Sequence, residues 1–554
     1  MRALKWAAGV VAVLLVVAIG GGIYVKENPI VLVKFISQLR DPIGPNQPVV
    51  WQKGPDAPVA GKRPPNIVLI LADDLGYNDL TFNGGGVADG AVPTPNINSI
   101  AEQGVDLREG YAGNATCAPS RAAIMTGRYA TRFGYEFTPA HPLFMKMVGE
   151  DAHGIRKPVY FPDKAENYPD VASLGMPASE VTVGEVLQKQ GYHTMMFGKW
   201  HLGEQPDMKP GAQGFDESLG FLMGAQKYAP DGAPGYQEAK QPWDPIDKFL
   251  WAALPYAVSK DGGPRFAPDK YMTDYLGDQA VEAIKANKNR PFFIYLAFNA
   301  PHTPLQAKQE DYDALPMIKD HELRVYAAMI RALDRNVGNV LATLKAEGLD
   351  DNTLVIFTSD NGGAHYIGLP DINKPYRGWK ATFFEGGIHV PYFMRWPGVL
   401  QVGTKFSSPV AHVDIFATAA GAAGAAVPTD RKLDGVNLLP FLEGKEAGRP
   451  HQTLFWRSAG YRTLLEGDMK LQVDDRRKKT WLYDLKADPT EQNNLAEAEP
   501  DKVKELNAVL DGINAEQAPP AWPALAESPI AIDHPANPDR FPDKPDDEYI
   551  YWAN

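Results

Sequence analysis

The most regular pattern in this 554-residue chain is a series of continuous apolar runs of strand length, each followed directly by a polar cluster. The runs cover residues 67–72, 193–197, 291–298 and 354–358. A strand buried on both faces of a parallel sheet is apolar throughout, because helices cover both of its sides. The intervening segments show helical patterns, including those at 99–104, 182–190, 271–287 and 321–347. The alternation predicts an α/β fold with a large, mainly parallel sheet sandwiched by helices.

Beyond about residue 445 the pattern changes to short strand candidates separated by turn residues. They lie at 454–456, 462–466, 469–473 and 480–483, and a helical pattern follows at 501–516. This predicts a smaller C-terminal α+β domain built on an antiparallel sheet. The Pro- and Asp-rich end is expected to be an extended strap or a disordered tail. We therefore divide the folded chain into a large domain at 66–445, a C-terminal subdomain at 446–516 and a tail at 517–554.

The N-terminus carries an apolar run at 6–25 that follows Arg2 and Lys5. About 20 apolar residues span a bilayer, and basic residues before them favour a cytoplasmic N-terminus. We prefer an uncleaved membrane anchor at 1–27, followed by a juxtamembrane stretch and linker at 28–65. A cleaved signal peptide stays open, because the run contains a small-x-small sequence. Either way the body of the protein is expected to be exported, to the periplasm or another extracytoplasmic space.

Two irregular segments interrupt the alternation of strands and helices, at 141–177 and 204–268. The second is rich in glycine, proline and aromatic residues. Such a segment is either a surface excursion with a small core of its own or a wall of the substrate pocket. Long structured loops in compact enzymes are often functional. The sequence leaves both interpretations open.

The composition narrows the choice of partner. The net charge of −13 argues against nucleic acid, whose binding proteins usually carry a basic face.

Cys117 is the single cysteine, so no intrachain disulfide can form and cysteine usage does not identify the compartment. A lone cysteine is most often a small buried apolar residue. Here Pro119 and Gly127 predict a short helix that begins near Cys117, where the helix dipole favours negative charge and Arg121 lies one turn further on.

The polar clusters after the four apolar runs fall where a shared site forms, since ligands of open α/β sheets bind beyond the carboxyl ends of the strands. Asp73, Asp74, Asp360 and Asn361 supply oxygen atoms, which suit Ca²⁺ or Mg²⁺ better than zinc. A cation also explains why acidic residues that repel one another converge. The remaining candidates are two lysines suited to a tetrahedral oxyanion and two histidines suited to acid–base catalysis: Lys199, Lys380, His201 and His302.

The segment from Cys117 to Arg128 resembles the C-x-P-S-R-x-x-x-x-T-G-R signature of the type I sulfatases, which belong to the alkaline phosphatase superfamily. Ile124-Met125 departs from the usual pair of leucines, which should affect only packing. Other family motifs follow in the expected order, so that the resemblance covers about residues 66–516. They are Leu71–Gly76, Gly198–Gly203, Pro301-His302, Ser359–Gly362, Lys380 with Glu385-Gly386-Gly387, and Tyr483-Asp484-Leu485.

The resemblance implies an arylsulfatase-like sulfuric ester hydrolase in which a maturation enzyme oxidises Cys117 to 3-oxoalanine (formylglycine). The hydrated aldehyde is then the nucleophile, and one of its two hydroxyls can later expel sulfate without a second attack at sulfur. The resemblance also implies that Asp360 helps to take the proton of the attacking hydroxyl and that Arg121 holds the diol. One Ca²⁺ is implied, held by Asp73, Asp74, residue 117, Asp360 and Asn361.

The same resemblance implies the remaining roles. Lys199 and Lys380 hold sulfate oxygens, His302 protonates the departing oxygen, and His201 deprotonates the second hydroxyl. The substrate is expected to be a sulfated small molecule or saccharide, an aryl or carbohydrate sulfate. The alternatives are a phosphate or phosphonate monoester hydrolase of the same superfamily and a catalytically inactive binding protein. The two lysines favour sulfate, because they put positive charge where two-zinc phosphatases hold a second ion.

Overall fold

The computed structural model describes residue 39 and residues 41–58, 63–151 and 154–554. In chain order its strands are β1 Asn66–Asp73, β2 Val105–Leu107, β3 Gly110–Tyr111, β4 Val159–Tyr160, β5 His193–Lys199, β6 Glu217–Phe221, β7 Tyr236–Ala239, β8 Ser259–Lys260, β9 Phe292–Pro301, β10 Leu305–Lys308, β11 Thr353–Ser359, β12 Tyr392–Arg395, β13 Thr404–Phe406, β14 Val410–Ala411, β15 Thr453–Ser458, β16 Tyr461–Glu466, β17 Met469–Asp474, β18 Lys479–Asp484, β19 Ala526–Ala531 and β20 Tyr549–Ala553.

The longer helices are α1 Pro95–Glu102, α2 Cys117–Thr126, α3 Pro142–Gly149, α4 Val183–Lys189, α5 Pro245–Ala253, α6 Met272–Asn287, α7 His321–Ala346, α8 Asp414–Ala423 and α9 Pro500–Ala515. Shorter helical segments lie at Val87–Gly90, Pro162–Ala165, Gln309–Asp313, Glu385–Ile388 and Leu439–Leu442. The predicted helices are confirmed within a few residues. The largest shift is at α1, which begins at Pro95 because proline suits the first turn of a helix.

A nine-stranded sheet in the order β13-β2-β12-β11-β1-β9-β5-β6-β8 forms the centre of the molecule. The strands from β11 to β6 are parallel, whereas β12 and β8 pair antiparallel at either side of them. Every residue of β1, β5, β9 and β11 is buried. The four apolar runs are therefore the central strands, and the predicted parallel sheet is confirmed.

Alternate side chains of each central strand face opposite layers of helices. Val68 and Ile70 of β1 pack in one apolar cluster with α6 and α7, while Ile67 and Leu69 pack in a second cluster with α2 and α8. This follows from the period of two in a strand. The sandwich holds the carboxyl ends of the strands fixed relative to one another.

The C-terminal region forms the predicted antiparallel sheet, in the order β15-β16-β17-β18. Helix α9 packs on it through Leu506 and Leu510, in a separate apolar cluster. The fully buried Lys470 of β17 ties this sheet to the short helix Glu385–Ile388, since its Nζ lies 2.6 Å from Glu385 Oε1. The same Nζ lies 3.0 Å from Oε1 of Glu491, which follows β18.

The last segment, for which the sequence left a strap or a disordered tail open, contains two paired strands. β19 pairs antiparallel with β20 and with β4, which lies in the 141–177 segment. The membrane anchor or signal predicted at residues 1–27 lies outside the described residues. Among the described residues, no helix combines the length and the apolar character needed to cross a membrane.

Candidate active site

Neighbouring strands of the central sheet deliver the predicted polar residues to one place. β1 ends at Asp73 and β5 at Lys199, while Asp360 directly follows β11 and His302 directly follows β9. Because β11, β1, β9 and β5 are adjacent and parallel, their carboxyl ends share one edge. The structure thus brings the strand-end residues together as the sequence predicted.

Helix α2 brings Cys117 to this edge as its first residue. The preceding Thr116 is extended, Gly127 ends the helix with a left-handed φ of 67°, and every residue between them is buried. Cys117 Sγ lies 3.6 Å from Asp73 Oδ1 and 3.7 Å from Asp74 Oδ1. Pro119 is the third helical residue, still in the first turn where backbone N–H groups have no partner within the helix. Burial and the charge of Asp360 raise the pKa of the Cys117 thiol far above its ordinary value, so the side chain is a neutral thiol.

Arg121, one turn along α2, is fully buried and anchors the acidic groups. Its Nε donates to Asp360 Oδ2 at 2.9 Å, and its Nη2 lies 2.8 Å from the same oxygen. Its Nη1 donates to the carbonyl oxygen of Lys199 at 3.0 Å and to Tyr295 Oη at 3.4 Å. Burial opposes ionisation of Asp360, but the charges of Arg121 and Lys199 outweigh it and hold the pKa of Asp360 below its ordinary value.

Asp73 and Asp74 each receive a lysine. Lys199 Nζ donates to both oxygens of Asp73, at 2.9 and 2.8 Å, and Lys380 Nζ donates to Asp74 Oδ2 at 2.8 Å. Burial raises the pKa of Asp73 to about 7, against the opposing charge of Lys199. For Asp74, burial is outweighed, chiefly by the charge of Lys380, so its pKa lies below the ordinary value.

The oxygen atoms at this edge fit a bound cation. Asn361 Nδ2 donates to Asp74 Oδ1 at 2.8 Å and to the carbonyl oxygen of Gly362 at 2.9 Å. Its Oδ1 is buried and has no hydrogen-bond partner among the described residues. An orphaned amide oxygen beside carboxylates is a hard donor set, suited to Ca²⁺ or Mg²⁺. A possible ligand atom from each of four residues also lies within 4.8 Å of the other three; the residues are Asp73, Asp74, Cys117 and His302.

The two histidines are both neutral. His302 holds its Nδ1 2.5 Å from the carbonyl oxygen of Thr303, which leaves Nε2 facing Lys380 Nζ at 3.3 Å. Burial lowers the pKa of His302 to about 3. His201 has a left-handed φ of 60°, and its buried Nδ1 has no partner in the described part of the chain. Burial, then Lys199 and Arg121, lower the pKa of His201 far below the ordinary value.

The structure adds residues that the sequence did not reveal. Tyr366 Oη donates to Asp74 Oδ2 at 3.2 Å and accepts from Lys380 Nζ at 3.1 Å. His412 lies beneath α2, 3.1 Å from Ser120 Oγ through its Nδ1 and 3.0 Å from Thr358 Oγ1 through its Nε2. Neither Tyr366 nor His412 belongs to a quoted motif, and no periodicity points to them.

A cavity of about 600 Å³ opens in front of Cys117, His201, His302 and Lys380. Both irregular segments contribute to its lining, as does the C-terminal segment. The 204–268 segment supplies α5, and the 141–177 segment supplies α3, which packs against α5 through Phe144 and Phe249 with ring centres 4.7 Å apart. The two segments are therefore walls of the space that adjoins the polar edge.

Comparison with known proteins gives a consistent result. The Sulfatase family model matches residues 65–425, and the model described as N-sulphoglucosamine sulphohydrolase, C-terminal matches residues 377–515. Human N-acetylgalactosamine-6-sulfatase is 33% identical over 398 residues, covering 70% of this chain and 68% of the relative. Rat steryl-sulfatase is 33% identical over 452 residues, covering 71% and 72%. The crystal structure of Ps i-CgsB in complex with k-i-k-neocarrahexaose is similar, with a TM-score of 0.68 and 31% identity over 83% of this chain and 95% of that one.

Proposed function

The chain belongs to the sulfatase family, and on that premise we propose that it hydrolyses a sulfate ester with a formylglycine derived from Cys117 and one bound Ca²⁺. The observation that carries the proposal is the position of Cys117, at the start of α2 and against Asp73 and Asp74. Its buried, neutral thiol is a poor nucleophile, because the thiolate is the reactive form. Oxidation by a maturation enzyme removes that difficulty.

Asp73, Asp74, Asp360, Asn361 and modified residue 117 would hold the ion. Bound there, Ca²⁺ supplies positive charge that lowers the pKa of a coordinated hydroxyl and orients the sulfate. The aldehyde hydrate of residue 117 supplies two hydroxyls, of which one attacks sulfur and the other later releases sulfate. Asp360 takes the proton of the attacking hydroxyl, and Arg121 holds Asp360 through two nitrogen contacts to one oxygen.

The residues on the open side of the site handle charge and protons. Lys199 and Lys380 bind the sulfate oxygens, where their fixed charges stabilise the charge that develops during transfer. His302 passes a proton to the departing oxygen through Nε2, which first takes that proton up from solvent, because Lys380 Nζ, 3.3 Å away, keeps its proton and its charge for the sulfate. His201 is neutral, so it can accept the proton of the second hydroxyl when sulfate leaves.

Two measurements test the proposal. Mass spectrometry of the tryptic peptide 109–121 from active protein is expected to show the aldehyde or its hydrate at residue 117. Unmodified thiol alone in active protein would refute the formylglycine mechanism. An aryl sulfate assayed beside the matching aryl phosphate decides the reaction, and preference for phosphate would favour the alternative phosphate or phosphonate monoester hydrolase.

We also propose that the enzyme acts outside the cytoplasm, held by its N-terminal segment, with the division into domains at 66–445 and 446–516 given above. The support is the apolar run at 6–25, which follows two basic residues. Cell fractionation tests it: the full chain is expected in the membrane fraction and a chain that begins at residue 41 in the soluble fraction. Recovery of the full chain as a soluble protein with an intact N-terminus would contradict the anchor.

A further inference from the structure

We infer that the cavity in front of Cys117 binds the apolar part of a singly sulfated ester, an aromatic or polycyclic alcohol, and selects against chains that bear several sulfates. The inference rests on the proposed function, because it takes the polar edge to be the site of the scissile sulfate. Three observations support it: the apolar walls of the cavity, the C-terminal segment that contributes to them, and the fact that the lysine and arginine side chains of the lining already have partners.

Two apolar helices form one wall. In α5 only Asp247 is buried, while Phe249 and Leu250 are partly exposed and line the cavity. Leu143 and Phe144 of α3 are partly exposed in the same way; Phe144 packs with one side on a small apolar cluster and contacts Phe249 at 4.7 Å between ring centres. The exposed part of a large apolar side chain in a cavity leaves water when an apolar ligand covers it, which favours binding. The helix pair therefore fits an apolar ligand.

The C-terminal segment extends this wall, since β19 packs against α3. Phe541 and Trp552 line the cavity, together with β19. Trp552 is nearly buried and holds an edge-to-face contact with Phe383, with ring centres 5.6 Å apart. This segment lies beyond both family matches, which end at residues 425 and 515. The wall is thus built in part from a piece of chain outside the matched family regions, which is where a choice of substrate specific to this protein can reside.

The charged residues of the lining do not provide for a second sulfate. Among the described residues, the lysines and arginines that line the cavity are Arg156, Arg265 and Lys380. Arg156 donates to the carbonyl oxygens of residues 545 and 547 and stacks 4.3 Å from the centre of the Tyr549 ring. Arg265 pairs with Asp41 at 2.6 Å.

Lys380 belongs to the site of the scissile sulfate, so each of the three cations is already engaged. The lining also contains four acidic residues, Asp151, Glu204, Asp244 and Asp543, and the whole chain has a net charge of −13. A polysulfated glycan would carry several negative charges into this surrounding without a free cation to receive them. A monosulfate of an apolar alcohol places its one charge at the polar edge and brings no second negative charge into the cavity.

The test compares full-length enzyme on phenyl sulfate, 2-naphthyl sulfate, a monosaccharide monosulfate and a disulfated disaccharide. We expect kcat/KM to rise about tenfold from phenyl to 2-naphthyl sulfate, from the extra buried ring area. Phe249→Ala should lower kcat/KM about tenfold more for the naphthyl ester than for the phenyl ester. Phe441→Ala, a half-exposed phenylalanine outside the cavity lining, is the matched control and should change neither value.

A preference for the disulfated disaccharide, or equal values for phenyl and naphthyl esters, overturns the inference and leaves sulfate ester hydrolysis standing. Equilibrium binding of neutral 2-naphthol, followed by its fluorescence, separates the two proposals. If no sulfate ester is hydrolysed but 2-naphthol binds and Phe249→Ala weakens binding, the proposed function fails and the apolar cavity stands. If 2-naphthol does not bind to the wild-type enzyme, the inference fails whatever the activity.

Discussion

Gly224 offers a direct test of the proposal that His201 accepts the proton of the second hydroxyl. Because Gly224 has no side chain, it leaves space for the imidazole ring of His201. An ideal Cβ added at Gly224 lies 2.6 Å from both Cε1 and Nε2 of His201. Gly224 is not in the left-handed region, so its backbone accepts alanine without strain. Non-bonded carbon atoms rest at about 3.5 Å, and Gly224→Ala must therefore displace the ring by roughly 1 Å.

The expected cost falls on catalysis and not on folding. The ring gives way at its free end, and its Nδ1 has no partner to lose among the described residues. We therefore expect the free energy of unfolding to change by less than about 1 kcal/mol. A displacement of about 1 Å at a proton-transferring group can lower the rate about 100-fold, so kcat should fall between about 10- and 100-fold.

The step that slows distinguishes the role of His201 from a general loss of order. If His201 acts only when sulfate is released, rapid mixing with an aryl sulfate should give a burst of about one phenol per active site, followed by slow turnover. Gly211→Ala is the control, since nothing lies within 4 Å of a Cβ added there. An unchanged kcat in Gly224→Ala, or a slow first turnover without a burst, would refute the assignment.

Four further changes test other parts of the molecule. Tyr366→Phe removes hydroxyl contacts to Asp74 and Lys380, and kcat/KM for an aryl sulfate should fall about tenfold at an unchanged Tm; full activity would show that these contacts are dispensable. Chelation should lower both activity and Tm because it uncovers crowded carboxylates, and Ca²⁺ or Mg²⁺ should restore both, whereas insensitivity to EDTA would count against the ion. Lys470→Met leaves two buried carboxylates without their cation and should cost about 3–5 kcal/mol in urea unfolding, compared with almost nothing for the exposed Lys504→Met. Burial raises the pKa of Asp79 to about 8, so its stabilising contribution is complete below the unfolded pKa near 4 and is lost as the pH rises toward 8; Asp79→Asn should flatten the fall of Tm between pH 5 and 9.

The sequence by itself determined the central strands and the residues at their ends. Continuous apolar runs appear only where both faces of a strand are covered, and strand ends in a parallel sheet meet at one edge. For that reason the sequence alone places Asp73, Lys199, His302 and Asp360 together. The helix that begins at Cys117 followed from equally local signals, its early proline and its final glycine.

Only the tertiary structure decided how those residues are held and what lies in front of them. Tyr366 reaches Asp74 across 292 positions of sequence, and Arg457 of the C-terminal sheet reaches Glu136 across 321. No periodicity encodes such contacts, because they depend on how separate layers pack. The cavity is the clearest case, since its lining comes from α3, α5 and the C-terminal segment, which are distant in sequence. The sequence of each segment alone does not predict that the three line one cavity. Their apolar faces line one cavity only after folding has brought the three segments together.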